Sequence, residues 1–324
     1  MQQLNEDIKN GQFKQVYLLY GEEAYLRKQY RDKLKSAMVA EDDTMNSHYY
    51  EGKDINAAEI VDLAETMPFF ADRRVIVLEN TGWFKSGGDR MADYLEEPAE
   101  SVCFIFVESE VDKRNRVFKA VQKQGRAVCF EAQDERTLLR WLAGILKQDG
   151  KQISENTAQF FLDRVGTDMS NIRTELEKLS CYCMDKDVIE RQDVEAVCTV
   201  SITNRIFDMV AAISEKRTEA ALTMYYDLVA LKEPPLRILF LISRQCNMLL
   251  QAKQLKSKGY DNKGIAEKMG VAPFVAGKYL TQASRFKEKE LRAALARCVE
   301  AEESVKTGKM NEAVAVEMLI ISVF

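Results

Sequence analysis

The hydrophobic pattern of this chain changes once along its length, and that change restricts its possible folds more than any other feature. Up to about Glu135, four short runs are apolar on both faces: Val16-Tyr17-Leu18-Leu19-Tyr20, Val75-Ile76-Val77-Leu78, Val102-Cys103-Phe104-Ile105-Phe106-Val107 and Val128-Cys129-Phe130. A strand that is apolar on both faces must be covered on both, as in a parallel sheet flanked by helices. His48-Tyr49-Tyr50 is a weaker fifth strand. Helical spacing over 22–39, 57–67 and 114–124 alternates with these runs, so an α/β doubly wound domain is expected over 1–135.

After about Asp134 the strand signals stop. Residues 137–147, 154–165, 168–183 and 191–197 read as helices, with Ser154 and Asp168 as caps. From about Thr203 onward seven more helical stretches follow, at 206–214, 218–231, 236–255, 265–269, 274–283, 289–306 and 312–323. Pro234-Pro235, Gly259, Gly264, Gly270 and Gly308 punctuate them. The expected fold class is α/β plus all-α, with a parallel α/β domain over 1–135, a small helical domain over 136–205 and a helical domain over 206–324. Leu239-Phe240-Leu241-Ile242 and residues 314–324 carry more large apolar groups than solvent-facing helices need, so packing within the domain or against neighbours is expected.

Composition narrows the chemistry. The 324 residues contain one histidine, His48, which excludes any mechanism needing two imidazoles and suits a structural or surface role. No catalytic constellation emerges. Seven cysteines without a secretory signal favour free thiols, and Cys181 and Cys183 lack a second cysteine cluster to complete a zinc tetrahedron, so no metal is expected. No run approaches the roughly 18 apolar residues of a membrane span, and the cytoplasm is the expected compartment. Residues 1–135 carry 18 Lys+Arg against 26 Asp+Glu, and residues 206–324 carry 18 against 14. An acidic first part and a mildly basic last third suggest different partners for different domains.

The first strand runs into Gly21-Glu22-Glu23-Ala24-Tyr25-Leu26-Arg27-Lys28, the place of a phosphate-binding loop in a nucleotide-binding domain. Gly21 matches the first glycine of such a loop. Leu26 stands in place of the second glycine, Arg27 of the lysine and Lys28 of the magnesium-binding hydroxyl, while Glu22 and Glu23 add negative charge where phosphate would sit. Glu79-Asn80, at the end of the run 75–78, is a poor version of a magnesium-holding acidic pair. A nucleotide-type fold with a dead pocket is expected.

Pro68 ends the helical stretch 57–67, and Phe69-Phe70 fall in the connection before a strand beginning at about Arg74. Neighbouring residues there point in different directions, so burying both rings in one core is awkward. Either the pair plugs the helix-strand junction or it anchors a pocket on a partner, with Met67, Pro68 and Ala71 as the supporting shell. Residues 266–280 imitate a helix-turn-helix with Gly270 in the turn, inside a stretch, 253–292, that has 10 basic and 4 acidic residues. Lys278 and Arg285 are its candidate DNA contacts; the same charges also suit a solvated face. Asp112-Lys113-Arg114-Asn115-Arg116 reads as a basic turn opening a helix, explained by a cap and solvated charges.

Several segments occur in an order and spacing that resemble the delta-subunit family of bacterial DNA polymerase III, nearly over the full length. They are residues 16–26, residues 68–78 with Pro68-Phe69-Phe70-Ala71-Asp72-Arg73-Arg74, Asp112-Lys113-Arg114, Ile172-Arg173-Thr174-Glu175-Leu176-Glu177-Lys178-Leu179, and Lys278-Tyr279-Leu280-Thr281-Gln282-Ala283 with the terminal helix. The resemblance implies a sliding-clamp loader subunit of AAA+ type: a clamp-binding N-terminal domain with a degenerate nucleotide site, a helical lid over 136–205 and a helical collar over 206–324 for assembly. It implies no cofactor and no intrinsic ATPase. The implied partners are the sliding clamp (beta subunit), whose ring the subunit opens for loading onto primed DNA, and the ATPase and delta-prime subunits of a hetero-oligomer within the polymerase (nucleotidyltransferase) holoenzyme. Phe69 and Phe70 stand at the family's clamp-contacting positions. Two other readings stay open: a helix-turn-helix DNA-binding regulator, and a P-loop NTPase with an unusual loop.

Overall fold

The computed structural model describes residues 1–322; Val323 and Phe324, at the end of the expected last helix, lie outside the described residues. The chain forms two compact units, Met1–Ala132 and Gln133–Phe324. In chain order the first contains α1 (Gln2–Asn10), β1 (Val16–Tyr20), α2 (Ala24–Met38), β2 (Ser47–Glu51), α3 (Ala57–Ala64), β3 (Arg74–Glu79), α4 (Asp89–Tyr94), β4 (Val102–Glu108), α5 (Arg116–Gln124) and β5 (Arg126–Cys129). All five strands pair in parallel, in the spatial order β2-β3-β4-β1-β5. The expected parallel α/β architecture is therefore present.

Position in the sheet explains the burial of each strand. Every residue of β1, β3 and β4 is buried, whereas the edge strands β2 and β5 are half open. Alternate residues such as Val16, Leu18, Ile76, Leu78, Phe104 and Phe106 pack with Ile60 of α3, Met91 of α4 and Val117 and Val121 of α5. Their neighbours Tyr17, Leu19, Val75, Val77, Ile105 and Val107 are equally buried on the opposite face, where α2 lies against β1 and β4. The two-residue side-chain period of strands thus fills both layers.

Several elements depart from the sequence expectation, among them α1, which was not expected, and β5, which runs Arg126–Cys129 rather than 128–130. Helix α3 ends at Ala64, three residues short of Met67; Pro68 has no N–H for the Ala64 carbonyl and its ring would crowd that carbonyl in a continued helix. The short helix α4 carries too few turns to show a period. In the second unit, Gln152–Ile153 (β6) and Val188–Ile189 (β7) form a small parallel pair where helices alone were expected. Lys151 holds that region together, its ammonium donating to the carbonyls of Cys183, Met184 and Lys186 at 2.7, 3.0 and 2.6 Å.

The remaining helices are α6 (Glu135–Gln148), α7 (Glu155–Val165), α8 (Met169–Tyr182), α9 (Arg191–Val197), α10 (Ile202–Ser214), α11 (Thr218–Ala230), α12 (Pro235–Ser257), α13 (Asn262–Met269), α14 (Pro273–Ala283), α15 (Glu288–Lys306) and α16 (Glu312–Ser322). Ser154 and Asp168 are indeed N-caps, accepting from the backbone N–H of Thr157 and Asn171. The long helix α12 starts with Pro235 in its first turn, where a missing N–H costs nothing, and packs against α10, α14, α15 and α16. Leu239 and Ile242 join that core, while Phe240 is exposed, as are Val314, Met318 and Ile321 along α16. No single helix among the described residues is long and apolar enough to cross a membrane.

One polar cluster ties the N-terminal helix to the sheet. Asp7 of α1 is buried and accepts from Arg126 Nε and Nη2 of β5, at 2.5 and 2.9 Å, and from the Tyr17 hydroxyl of β1 at 3.0 Å. Removing the carboxylate strands a buried phenol and a guanidinium. Asp7→Ala should destabilise the protein by about 2 kcal/mol, the partial exposure of Arg126 letting water replace some of the loss. Urea unfolding checks this, and an unchanged midpoint would show that the cluster contributes nothing.

Candidate functional site

The loop after β1 sits at the carboxyl ends of β1 and β4, where the strand order reverses and α/β folds open a ligand crevice. Its backbone is already committed. The Gly21 N–H donates to the Glu108 carbonyl at 3.3 Å and the Glu23 N–H to the Phe130 carbonyl at 3.0 Å. Gly21 has φ 120°, and a Cβ there would lie 2.4 Å from the Phe130 oxygen, so the glycine serves a close crossing of two chain segments. The Glu23 carboxylate caps α2 by accepting from the Tyr25 N–H at 3.2 Å, placing a fixed negative charge where a phosphate would use the helix N-terminus. Leu26 is buried in the core, Lys28 points to solvent, and Arg27 is buried.

Acidic groups surround Arg27. Glu79 at the end of β3 accepts from Arg31 at 2.7 Å and from the Tyr49 hydroxyl at 3.1 Å. Glu108 at the end of β4 accepts from the N–H and hydroxyl of Thr81 at 2.8 and 2.6 Å. Burial lowers the pKa of the Arg27 guanidinium, opposed by the charges of Glu79, Glu108 and Glu23. The carboxyl ends of the strands thus carry an internally compensated charge cluster.

At the opposite edge of the sheet, the connection from α3 to β3 presents Met67, Phe69 and Phe70 with 84%, 55% and 95% of their surface exposed. The two rings do not diverge as the sequence suggested. Phe70 takes a left-handed backbone, φ 48°, which turns its ring back onto that of Phe69, edge to face with centroids 4.7 Å apart. Met67 and Ala71 are exposed beside the rings and Pro68 is half-buried, so they flank the pair rather than support it from beneath. The support comes from Asn46 and Arg74. Asn46 is buried; its Oδ1 accepts from the Phe69 N–H at 2.7 Å and its Nδ2 donates to the Phe69 carbonyl at 2.9 Å. Arg74, also buried, donates from Nη1 to the Leu63 and Thr66 carbonyls at 2.7 and 2.9 Å and to the Thr66 hydroxyl, and from Nη2 to the Met67 carbonyl at 3.2 Å.

The other candidates are placed as follows. Helices α13 and α14 join through Gly270 in a left-handed conformation and pack through Ile265, Ala266 and Ala276. Lys278 is ion-paired with Asp163 at 2.6 Å and Arg285 with Glu215. Arg114 pairs with Asp112, and Asn115 caps α5. His48 lies half-buried in β2 with its pKa lowered by burial and by Arg74. Among the described residues no group of three or more His, Cys, Asp or Glu side chains is placed to hold a metal ion.

Two family descriptions match this chain: DNA polymerase III, delta subunit, over residues 17–133, and the C-terminal domain of the DNA polymerase III delta subunit, over residues 203–323. The chain belongs to the DNA polymerase III delta-subunit family. The DNA polymerase III subunit delta of Bacillus subtilis is 26% identical over 329 residues, covering 98% of this chain and 94% of that protein. A probable subunit delta from Aquifex aeolicus is 24% identical, with 79% of this chain and 75% of that protein covered. The solved structure of the Bacillus subtilis DNA clamp loader delta protein superposes with a TM-score of 0.74 at 25% identity, covering 99% of this chain and 98% of that one. The sheet and helices of this delta chain are therefore those of a clamp-loader delta subunit.

The aromatic pair and the altered loop are legible in the sequence, whereas Asn46, Arg74 and Glu108 are not. Each of these acts by bonding backbone groups of a loop, 7 to 11 residues away for Arg74, 23 for Asn46 and 27 for Glu108, which leaves no periodic trace. Glu108 has a measurable signature: burial pushes its carboxyl up from the ordinary 4.5, against the Thr81 hydrogen bonds and Arg27. The folded protein therefore keeps this proton after the unfolded chain has released it, and the stabilisation, complete below about 4.5, declines as pH rises through the raised folded value. Glu108→Gln retains an oxygen for Thr81 and cannot ionise. Its unfolding free energy should gain on that of the wild type from pH 4.5 upward, and parallel pH profiles would rule out the assignment.

Proposed function

We propose that this delta-family protein binds a sliding clamp through Phe69 and Phe70, flanked by Met67, Pro68 and Ala71, and opens the ring for placement on primed DNA without using ATP itself. The observation that supports the reading best is the exposure of two contacting phenyl rings on a turn whose backbone is tied down. A soluble fold gains nothing from holding such rings in water, whereas a partner pocket gains a rigid aromatic anchor. In this reading residues 136–205 are the lid and 206–324 the collar, which assembles with the ATPase and delta-prime subunits in the cytoplasm. The exposed Phe240, Val314, Met318 and Ile321 suit such packing. Contact of Lys278 and Arg285 with DNA phosphates would require exchanging Asp163 and Glu215 for phosphate, a small cost for exposed pairs. A helix-turn-helix regulator is disfavoured because α14, its would-be recognition helix, carries one basic residue, Lys278.

The committed amides, the Glu23 cap and the buried Arg27 also support a subunit that takes no nucleotide. Calorimetry with magnesium and ATP should give no saturable heat at micromolar nucleotide; magnesium-dependent micromolar binding would restore the NTPase reading. For the anchor, truncating a central interface aromatic costs about 2 to 4 kcal/mol, and 1.4 kcal/mol is about tenfold. Phe69→Ala with Phe70→Ala should weaken clamp binding at least about a hundredfold while leaving the melting temperature near that of the parent. A destabilised variant that binds the ring as tightly as the parent would make the pair a structural plug instead.

A further inference from the structure

We propose that Asn46 and Arg74 are positioning residues of the docking ridge, fixing the backbone of residues 63–70 so that Phe69 and Phe70 stand paired and exposed before a partner arrives. This rests on the reading of the two rings as clamp anchors. Between Leu63 and Phe69 the carbonyls of Leu63, Thr66, Met67 and Phe69 all accept from one of these two side chains. Asn46 bonds both the N–H and the carbonyl of Phe69, imitating the pairing of a neighbouring strand. It is itself held, its backbone N–H and Nδ2 donating to Asp43 Oδ1 and Oδ2, each at 2.9 Å. Arg74 begins the fully buried strand β3, so its guanidinium projects from a rigid base.

A purely structural cap for α3 would need Arg74 alone, and would be satisfied at Leu63 and Thr66. Asn46 acts beyond the helix, at the residue whose neighbour is the most exposed phenylalanine of the chain's aromatic pair. Phe70 also keeps a left-handed backbone that non-glycine residues hold only where their surroundings enforce it. Fixing this segment in advance removes an ordering cost that a mobile loop would meet on binding, so affinity rises without any contact between Asn46 or Arg74 and the partner.

A double-mutant cycle on the full-length protein with the clamp ring tests this. Asn46→Ala should weaken clamp binding at least about tenfold, through the loss of both hydrogen bonds to the Phe69 backbone and of loop order, while amide exchange at Phe69 accelerates. In the Phe69→Ala, Phe70→Ala background the same change should alter the remaining affinity by less than about twofold, because Asn46 acts only through the rings. Arg74→Lys, which keeps the charge but reaches fewer carbonyls, provides a second variant should Asn46→Ala fold poorly, and should show the same dependence on the rings. Parent-like affinity of either variant despite fast exchange at Phe69, or an equal loss in both backgrounds, overturns the positioning role alone. If the Phe69→Ala, Phe70→Ala protein itself binds like the parent, the anchor reading falls first and the positioning role falls with it.

Discussion

Neighbouring parallel strands cannot be joined by a tight turn, and this single constraint arranges the first unit of the protein. Each strand must be left by a crossover, so all carboxyl ends gather at one edge of the sheet and all amino ends at the other. The loop after β1, with Arg27, Glu79 and Glu108, lies at the carboxyl edge. Asn46 precedes β2 and Phe69-Phe70 precede β3, so the aromatic ridge lies at the amino edge. Strand β3 joins the two, with Arg74 at its first position and Glu79 at its last.

The two edges treat their polar groups differently. At the carboxyl edge the positions that would serve a bound phosphate are turned inward: amides go to the Glu108 and Phe130 carbonyls, a carboxylate caps the helix, and an arginine is sunk among acids. At the amino edge the inward-facing polar groups do the opposite, holding apolar side chains outward. Burial of Asn46 is tolerable because its side-chain amide meets the Phe69 backbone and the Asp43 carboxylate, and that of Arg74 because its Nη groups meet carbonyls between Leu63 and Met67, although its buried Nε has no partner.

What was legible in the sequence follows from how many residues express each feature. β1, β3 and β4 are buried on both faces, and so wrote themselves as unbroken apolar runs. β2, at the edge, alternates only weakly in Ser47-His48-Tyr49-Tyr50-Glu51 and was the faintest strand. α3 ends four residues before Pro68, where the proline removes a backbone hydrogen bond that apolar spacing does not register, and the Arg74 contacts beyond it, between residues 7 to 11 apart, have no period. The aromatic pair was visible since two large rings after a proline have few places to go. Its geometry was not, since the turn at Phe70 depends on a left-handed conformation that a phenylalanine does not announce. The two-residue strands β6 and β7 are too short for any alternation to appear.

The place of Arg74 in the sheet has a mechanical consequence. Tension on the two rings would reach β3 along the chain of residues 71–73, with the Arg74 guanidinium bracing the turn, and β3 is laddered to β2 on one side and to β4 on the other. Pulling along such a strand loads both ladders in shear, so many hydrogen bonds share the force and must yield together. A ridge hung from the edge of a sheet would instead peel away one bond at a time. The same two rings ahead of β5 would load one ladder, to β1; ahead of β3 they would load two.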